Sequence, residues 1–354
     1  MSKLPAQFSR ILIIKLRHHG DVLLVTPVIN TLKDNYPSVE IDVLLYKETE
    51  PILANFSSVA NIFSMDRQWR KQGARVHFSH EWRLLKQLRN RKYDIVINLA
   101  DQWYSAFVTR FTRAKVRIGF DLAKRRSLFW TKCFTNLVPT EHSEFLHIVE
   151  QNLSTLSLLN LPSTSTKVTM SYRQEDRDTV RVLLEQHGVS QKYIVVQPTS
   201  RWFFKCWDEK KMSETISALQ SDGWTVVVTS GPDRKEEDMV ETILSSCPKE
   251  SVISFAGLLT LPQLAALIDE ANLFIGVDSI SMHMAAALKT PCIALFGPSK
   301  LVFWRPWEAK GEVIWAGDYG DLPDPDDVDT KTGIRYLNVI PSDVVIAAAR
   351  RNLL

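Results

Sequence analysis

The sequence predicts an α/β protein built as two doubly wound, Rossmann-like domains, and three observations predict it. Short runs rich in Val, Ile and Leu alternate with longer amphipathic stretches, the pattern of strands joined through crossover helices. These runs are apolar almost throughout, as in strands buried on both faces of a parallel sheet. The pattern then restarts once, near Tyr193, in a chain of 354 residues, which is long enough for two cores.

In chain order, residues 11–15, 41–46 and 94–99 read as strands of the first domain, with helices over 22–34, 82–91 and 103–113. A helix over 147–158 follows, and polar residues cluster through 161–166. A helix over 176–187 begins the second unit, which places the first domain at 1–174 and the second at 175–354. Strands over 193–197, 225–229, 273–276 and 292–296 alternate there with helices over 211–222, 236–244, 261–270 and 282–288. Residues 317–333, rich in Asp and Gly, read as a long surface loop. A capped helix over 342–354 ends the chain and is expected to pack back on the first domain.

Composition narrows the class. An apolar fraction of 45% and a charged fraction of 23% are those of a soluble globular chain. No apolar run approaches the roughly 20 residues that span a bilayer, and the run at 11–14 is too short for a signal-peptide core. Cys133, Cys206, Cys247 and Cys292 stand far apart with no CxxC pair. That spacing argues against zinc and against a disulfide framework, and fits buried thiols in a reducing cytosol. The net charge of +3 hides an asymmetry. Residues 1–174 carry 25 Lys+Arg against 14 Asp+Glu, a net of +11, and the remainder carries 18 against 26, a net of −8. The basic half is therefore the one expected to face an anionic partner.

Three turns after strands carry candidate chemistry, because ligands of open α/β sheets bind beyond the carboxyl ends of strands. The first runs Lys15-Leu16-Arg17-His18-His19-Gly20-Asp21. Asp21 is either the N-cap of the next helix or a general base, and Gly20 allows positive φ or a close backbone approach. His18 and His19 either bind a phosphate or an acceptor carboxylate or are polar loop residues. The second turn brings Thr199, Ser200, Arg201 and Lys205 together behind a buried strand, hydroxyls and cations suited to a diphosphate. The third, Gly276-Val277-Asp278-Ser279-Ile280-Ser281-Met282-His283, opens a small-residue helix whose N-terminal amides suit an anion. Its conservative reading is that Asp278 and Ser279 only cap the helix. A GxGxxG dinucleotide turn is absent, which weakens a nicotinamide oxidoreductase.

The motifs Ile13-Ile14-Lys15…Gly20-Asp21-Val22-Leu23…Thr26-Pro27, Lys205-Cys206-Trp207, Gly231-Pro232, Phe274-Ile275-Gly276-Val277-Asp278-Ser279…His283 and Ala294-Leu295-Phe296-Gly297-Pro298 stand in one order along nearly the whole chain. Together they resemble the lipopolysaccharide heptosyltransferases of glycosyltransferase family 9. Ala100-Asp101-Gln102-Trp103 and Lys205-Cys206-Trp207-Asp208 look most like the branch that adds the third inner-core heptose.

The resemblance implies a GT-B fold, two Rossmann-like domains facing a cleft, and an ADP-heptose donor. It also implies inversion at the anomeric carbon, no metal or other cofactor, and a phosphorylated, lipid-anchored core oligosaccharide as acceptor. Carried over by residue, Asp21 becomes the catalytic base and Lys205 the partner of the donor diphosphate. Thr199 and Ser200 lie beside that diphosphate, Asp278, Ser279 and Ile280 meet it at the helix start, and His283 approaches the donor. Glu236 is chosen over Lys235 and Glu237 for the ribose. Arg17, His18, His19, Asp101 and Arg125 are assigned to the acceptor. Where the family often has Gly, this chain has Ile280, which puts the local backbone in question because Ile resists positive φ.

A nucleotide-sugar-binding protein without turnover would keep Lys205 and not need Asp21. Nucleic acid is not expected, since no RRM, KH or OB signature accompanies the basic half. Its two basic, aromatic-bearing stretches, 67–91 and 110–132, predict instead a cytoplasmic protein held peripherally on the inner membrane. The second includes Arg113, Lys115, Arg117, Lys124, Arg125 and Arg126, followed by Phe129 and Trp130.

Overall fold

The apolar runs form the centres of two all-parallel sheets in the computed structural model, which describes residues 8–189, 192–247 and 252–353. The chain divides into two compact units, Met1–Thr169 and Met170–Leu354.

In the first unit the strands are β1 (Arg10–Ile14), β2 (Glu40–Tyr46), β3 (Asn61–Met65), β4 (Ile95–Asn98), β5 (Val116–Asp121) and β6 (Asn136–Pro139), in the order β3-β2-β1-β4-β5-β6. Ile11 pairs with Ile41 on one side and Ile95 on the other, so β1 is central and Ile11–Ile14 are buried. The second unit holds β7 (Tyr193–Gln197), β8 (Thr225–Val228), β9 (Val252–Ser254), β10 (Leu273–Val277), β11 (Cys292–Phe296) and β12 (Gly311–Trp315). Its order, β12-β11-β10-β7-β8-β9, repeats the first sheet's connectivity, so each unit is a doubly wound Rossmann-like layer.

The helix expected over 22–34 is broken in two, His19–Leu23 and Thr26–Asn35. Pro27 explains the break, because it lacks an N–H and its ring crowds the carbonyl four residues earlier. Thr26 Oγ1 donates to the Leu23 carbonyl at 2.8 Å and satisfies one of the groups left open. In the second unit the terminal helix runs Ser342–Leu353, with Leu354 outside the described residues. Its Val345, Ala348 and Ala349 enter the second unit's own core beside Trp207, Ile216 and Ile275. All four cysteines are free and buried, and burial pushes the Cys206 and Cys292 thiols up to about 12.

The basic stretch 110–132 is not uniformly a surface. Arg117 turns inward and donates to the Cys133 carbonyl at 2.9 Å and the Ala114 carbonyl at 2.6 Å. Trp130 is buried with its indole N–H on the Phe120 carbonyl at 3.0 Å. Among the described residues no helix is long and apolar enough to cross a membrane.

Candidate active site

In a doubly wound sheet the first and fourth strands flank the point where strand order reverses, and ligands bind at their carboxyl ends. Both units place predicted residues at that point. In the first unit they follow β1 and β4; in the second they follow β7 and β10.

Behind β1, Lys15 closes an apolar strand and is only 3% exposed. Its Nζ lies 3.6 Å from Asp21 Oδ1 and donates to Asn152 Oδ1 at 3.4 Å. Burial pushes the Lys15 ammonium down from its ordinary value, and the neighbouring Asp21 carboxylate opposes that shift. Asp21 is the third residue of the helix His19–Leu23, whose N-cap is His18. The capping alternative therefore fails: the Asp21 carboxylate faces Lys15 from within the first helical turn. Gly20 lies inside the same helix and does not use positive φ.

Behind β4, Asp101 gathers three basic residues. Arg17 pairs with one carboxylate oxygen at 2.7 Å and Lys124 with the other at 2.7 Å, while Arg125 Nε donates to its backbone carbonyl at 2.7 Å. Burial acts to raise the Asp101 carboxyl, but Lys124, Arg17 and Arg125 outweigh it and hold the group below its ordinary range. The Arg125 guanidinium lies 5.2 Å from the centre of the Trp103 ring. His19 Nε2 is 2.9 Å from the Glu48 carbonyl, an interaction with the segment Lys47–Ile52.

The second unit's site is also largely buried. Lys205 Nζ meets Asp278 Oδ2 at 2.5 Å, both side chains being largely buried. Ser200 Oγ donates to the Asp278 carbonyl at 3.4 Å, which ties the β7 turn to the β10 turn. Ser279 is the N-cap of the helix Ile280–Leu288, yet its side chain makes no capping bond and lies 3.1 Å from Ser281 Oγ. The plain capping reading of Ser279 therefore does not hold for its hydroxyl. Ile280 is the first helical residue and is not among the positive-φ positions, so its β-branch is accommodated without strain. His283 lies on this helix and is buried.

Glu236 Oε2 accepts from Thr199 Oγ1 at 2.6 Å and from the Gly231 N–H at 3.2 Å. A Cβ on Gly231 would stand 2.9 Å from Glu236 Oε1, so glycine is what lets the carboxylate approach the backbone. The two rivals for this place are engaged elsewhere. Lys235 Nζ lies 3.9 Å over the Phe203 ring, and Glu237 packs against Gly257. Gln197 and Thr229 complete the network, with Gln197 Nε2 on Thr199 Oγ1 at 3.0 Å and Thr229 Oγ1 on Gln197 Oε1 at 2.6 Å.

Some participants were not singled out from sequence. Lys15 is the clearest, and the signal was available: a lysine ending the run Ile11–Ile14 can be buried only if something pairs with it. Gln102 donates to the Leu16 carbonyl at 2.8 Å, and Asn152 arrives from 137 residues away, with no local signal. Among the described residues no group of three or more His, Cys, Asp or Glu side chains could share a metal ion. In the acidic loop at 324–327, Asp326 pairs with Lys300 at 2.6 Å.

Two doubly wound units of the same connectivity, each with a buried lysine–carboxylate pair at its switch point, give the α/β architecture of a GT-B fold. The model of glycosyltransferase family 9 (heptosyltransferase) matches residues 81–334, and the chain belongs to that family. It is 44% identical over 339 residues to "Lipopolysaccharide heptosyltransferase 3" of Escherichia coli, with 96% of this chain and 97% of the relative covered. Among solved structures, a glycosyl transferase family 9 protein from Veillonella parvula superposes with a TM-score of 0.83 at 21% identity, covering 98% of this chain and 97% of that one. The E. coli ADP-heptose lps heptosyltransferase II does so with a TM-score of 0.77 at 22% identity, covering 97% and 98%.

Proposed function

We propose that this enzyme transfers a heptose, with inversion and without a metal ion, from ADP-heptose to the phosphorylated inner core of lipopolysaccharide, adding the third heptose. The observation that carries the reading is a division of chemistry between the two switch points. The first holds a carboxylate, Asp21, fit to take a proton; the second holds an ammonium, Lys205, beside a helix N-terminus fit to hold a diphosphate. The heptosyl group and the lipopolysaccharide acceptor are supported by the E. coli relative's name, and the ADP-heptose donor by the name of the E. coli heptosyltransferase II.

In the proposed step the acceptor oxygen bonds to the anomeric carbon as the bond from that carbon to the β-phosphate oxygen breaks. The acceptor proton passes to Asp21, and the electron pair leaves with ADP. Lys15 keeps Asp21 oriented. Lys205, the amides of Ser279–Ser281 and the hydroxyls of Thr199 and Ser200 take up the growing diphosphate charge. Asp278 holds Lys205 in place before donor arrives, Ile280 opens the helix, His283 approaches the donor sugar, and Glu236 receives the ribose. Arg17, His18, His19, Asp101 and Arg125 receive the acceptor, whose phosphates suit guanidinium groups.

Turnover against cores truncated at successive sugars tests the reading. The enzyme should glycosylate a core ending at the second heptose and ignore one lacking it; equal activity on both would overturn the third-heptose assignment.

Because the acceptor is lipid-anchored, the reading includes work at the cytoplasmic face of the inner membrane through the first unit. Replacing Lys124, Arg125 and Arg126 together by Ser should raise the acceptor KM at least about tenfold, since two of them bind Asp101 and each cation near an anionic surface is worth about 1 kcal/mol. ADP affinity should not change. An unchanged acceptor KM would make this stretch a solvated surface only.

A further inference from the structure

Single exposed apolar side chains need no explanation, but a contiguous set does. On the first unit, Phe78 and Trp82 of the helix Ala74–Asn90 are exposed, Phe78 by 67%. So are Trp103 and Phe107 of Trp103–Phe111, and Leu128 and Phe129 of Leu128–Cys133, Leu128 by 80%. Spacing four apart puts Phe78 and Trp82 on one helical stripe and Trp103, Phe107 and Phe111 on another. The rings run on from one helix to the next. Phe78 and Trp82 lie 6.3 Å apart, Trp82 meets Phe111 edge-on at 5.8 Å, Phe111 is 5.9 Å from Phe107, and Trp103 is 5.9 Å from Phe129. The core faces of these helices are occupied by other residues, Leu84, Leu85 and Leu88 on the first and Val108 on the second.

Cations border the rings. Lys86 lies 5.5 Å from the Trp82 centroid, Arg89 5.5 Å from that of Phe111, and Arg125 5.2 Å from that of Trp103. Residues 67–91 carry eight Lys+Arg and one acid, and residues 110–132 again carry eight and one.

We propose that this face docks on an anionic phospholipid bilayer, seating its aromatic side chains among the headgroups while the bordering cations meet the lipid phosphates. Amphipathic rings and long cationic side chains favour that depth of a bilayer. A second copy meeting this face through its own equivalent face would bring like charge against like charge. Single-stranded nucleic acid is stacked on the sheets of RRM or OB modules, whereas this unit is a doubly wound parallel sheet and the rings stand on its helices. The inference deepens the peripheral attachment proposed above and rests on that part of the reading alone.

The test is co-sedimentation of the full chain with vesicles of phosphatidylcholine alone or mixed with phosphatidylglycerol, at low and high salt, without donor or acceptor. The wild type should bind the phosphatidylglycerol vesicles. A variant with Phe78→Ser, Trp82→Ser, Phe107→Ser and Phe129→Ser should bind them at least about tenfold more weakly, with ADP binding and thermal unfolding unchanged. If that variant does not fold, Phe78→Ser with Leu128→Ser, the two most exposed positions of this face, carries the same test in the same direction. Equal vesicle binding by the aromatic variant and the wild type, with salt releasing both, would overturn the inference and leave attachment by charge alone. No wild-type binding to phosphatidylglycerol would end both readings. A wild-type dimer that the variant loses, or retention of single-stranded RNA in place of vesicles, would assign the face to a different partner and overturn the inference.

Discussion

Asp21→Ala and Asp21→Asn should each lower turnover by about a hundredfold or more, the lower end for a positioned acid–base group. The carboxylate sits in the first turn of a short helix with the buried ammonium of Lys15 at 3.6 Å. That neighbour stands within ion-pair reach of one carboxylate oxygen and so orients the group. Asp21→Asn keeps the shape but has no charge to receive a proton, so it should be nearly as inactive as Asp21→Ala. ADP affinity should be unchanged in both, because the proposed donor groups belong to the other unit. Removing Asp21 leaves Lys15 buried without its carboxylate, which also costs stability. Thermal unfolding separates the two causes. A folded Asp21→Ala protein with near-normal turnover would remove the general-base role, whereas lost stability with normal turnover per folded molecule would make the pair purely structural.

The second large effect is expected at Lys205. Its ammonium meets Asp278 at 2.5 Å in a largely buried site, beside the start of the helix Ile280–Leu288. If a diphosphate is the ligand of this site, the lysine shifts its bonds from Asp278 towards phosphate when donor arrives. Lys205→Ala should then weaken ADP binding by about one to two orders of magnitude, the equivalent of the ~1.5–3 kcal/mol of a hydrogen bond to a charged group. Turnover should fall at least as far, since charge on the leaving diphosphate grows during the reaction. Lys205→Arg should keep the charge and recover part of the ADP affinity with less of the turnover, because a planar guanidinium cannot reproduce the point contact. Calorimetric titration with ADP checks this. Wild-type ADP affinity in Lys205→Ala would assign the lysine to Asp278 alone.

How much of this was legible in the sequence depends on burial. Strands such as β1, β7 and β11 announce themselves, because residues covered on both faces must be apolar throughout. The strands that escaped are mostly sheet edges. β3, β6, β9 and β12 are the edge strands and are partly exposed, so their composition is mixed. β5 lies inside the sheet but carries Arg117 and Gly119, which broke the apolar run; Arg117 is tolerated there because backbone carbonyls satisfy it.

The candidate sites divide in a similar way. Asp21, Lys205, Asp278 and Ser279 follow strands directly, so a rule about strand ends finds them. The partners that hold them in place come from distant parts of the chain. Asn152 reaches Lys15, Lys124 reaches Asp101, and Glu236 reaches Thr199 only once the sheets have formed. The capping alternative for Asp21 misplaced the helix start by three positions. The helix begins earlier than the apolar pattern suggests, because His18 and not Asp21 occupies the extended N-cap conformation.

The central claim is that the carboxylate behind β1 and the lysine–helix site of the second unit together carry out metal-free heptosyl transfer. ADP release from ADP-heptose, followed with and without a heptose-truncated core acceptor and with EDTA present throughout, tests it most directly. The account predicts rapid release that requires the acceptor, is unaffected by EDTA, and is matched by one heptose gained per ADP. Release equally fast without acceptor, tight donor binding with no release at all, or release abolished by EDTA and restored by magnesium would contradict it.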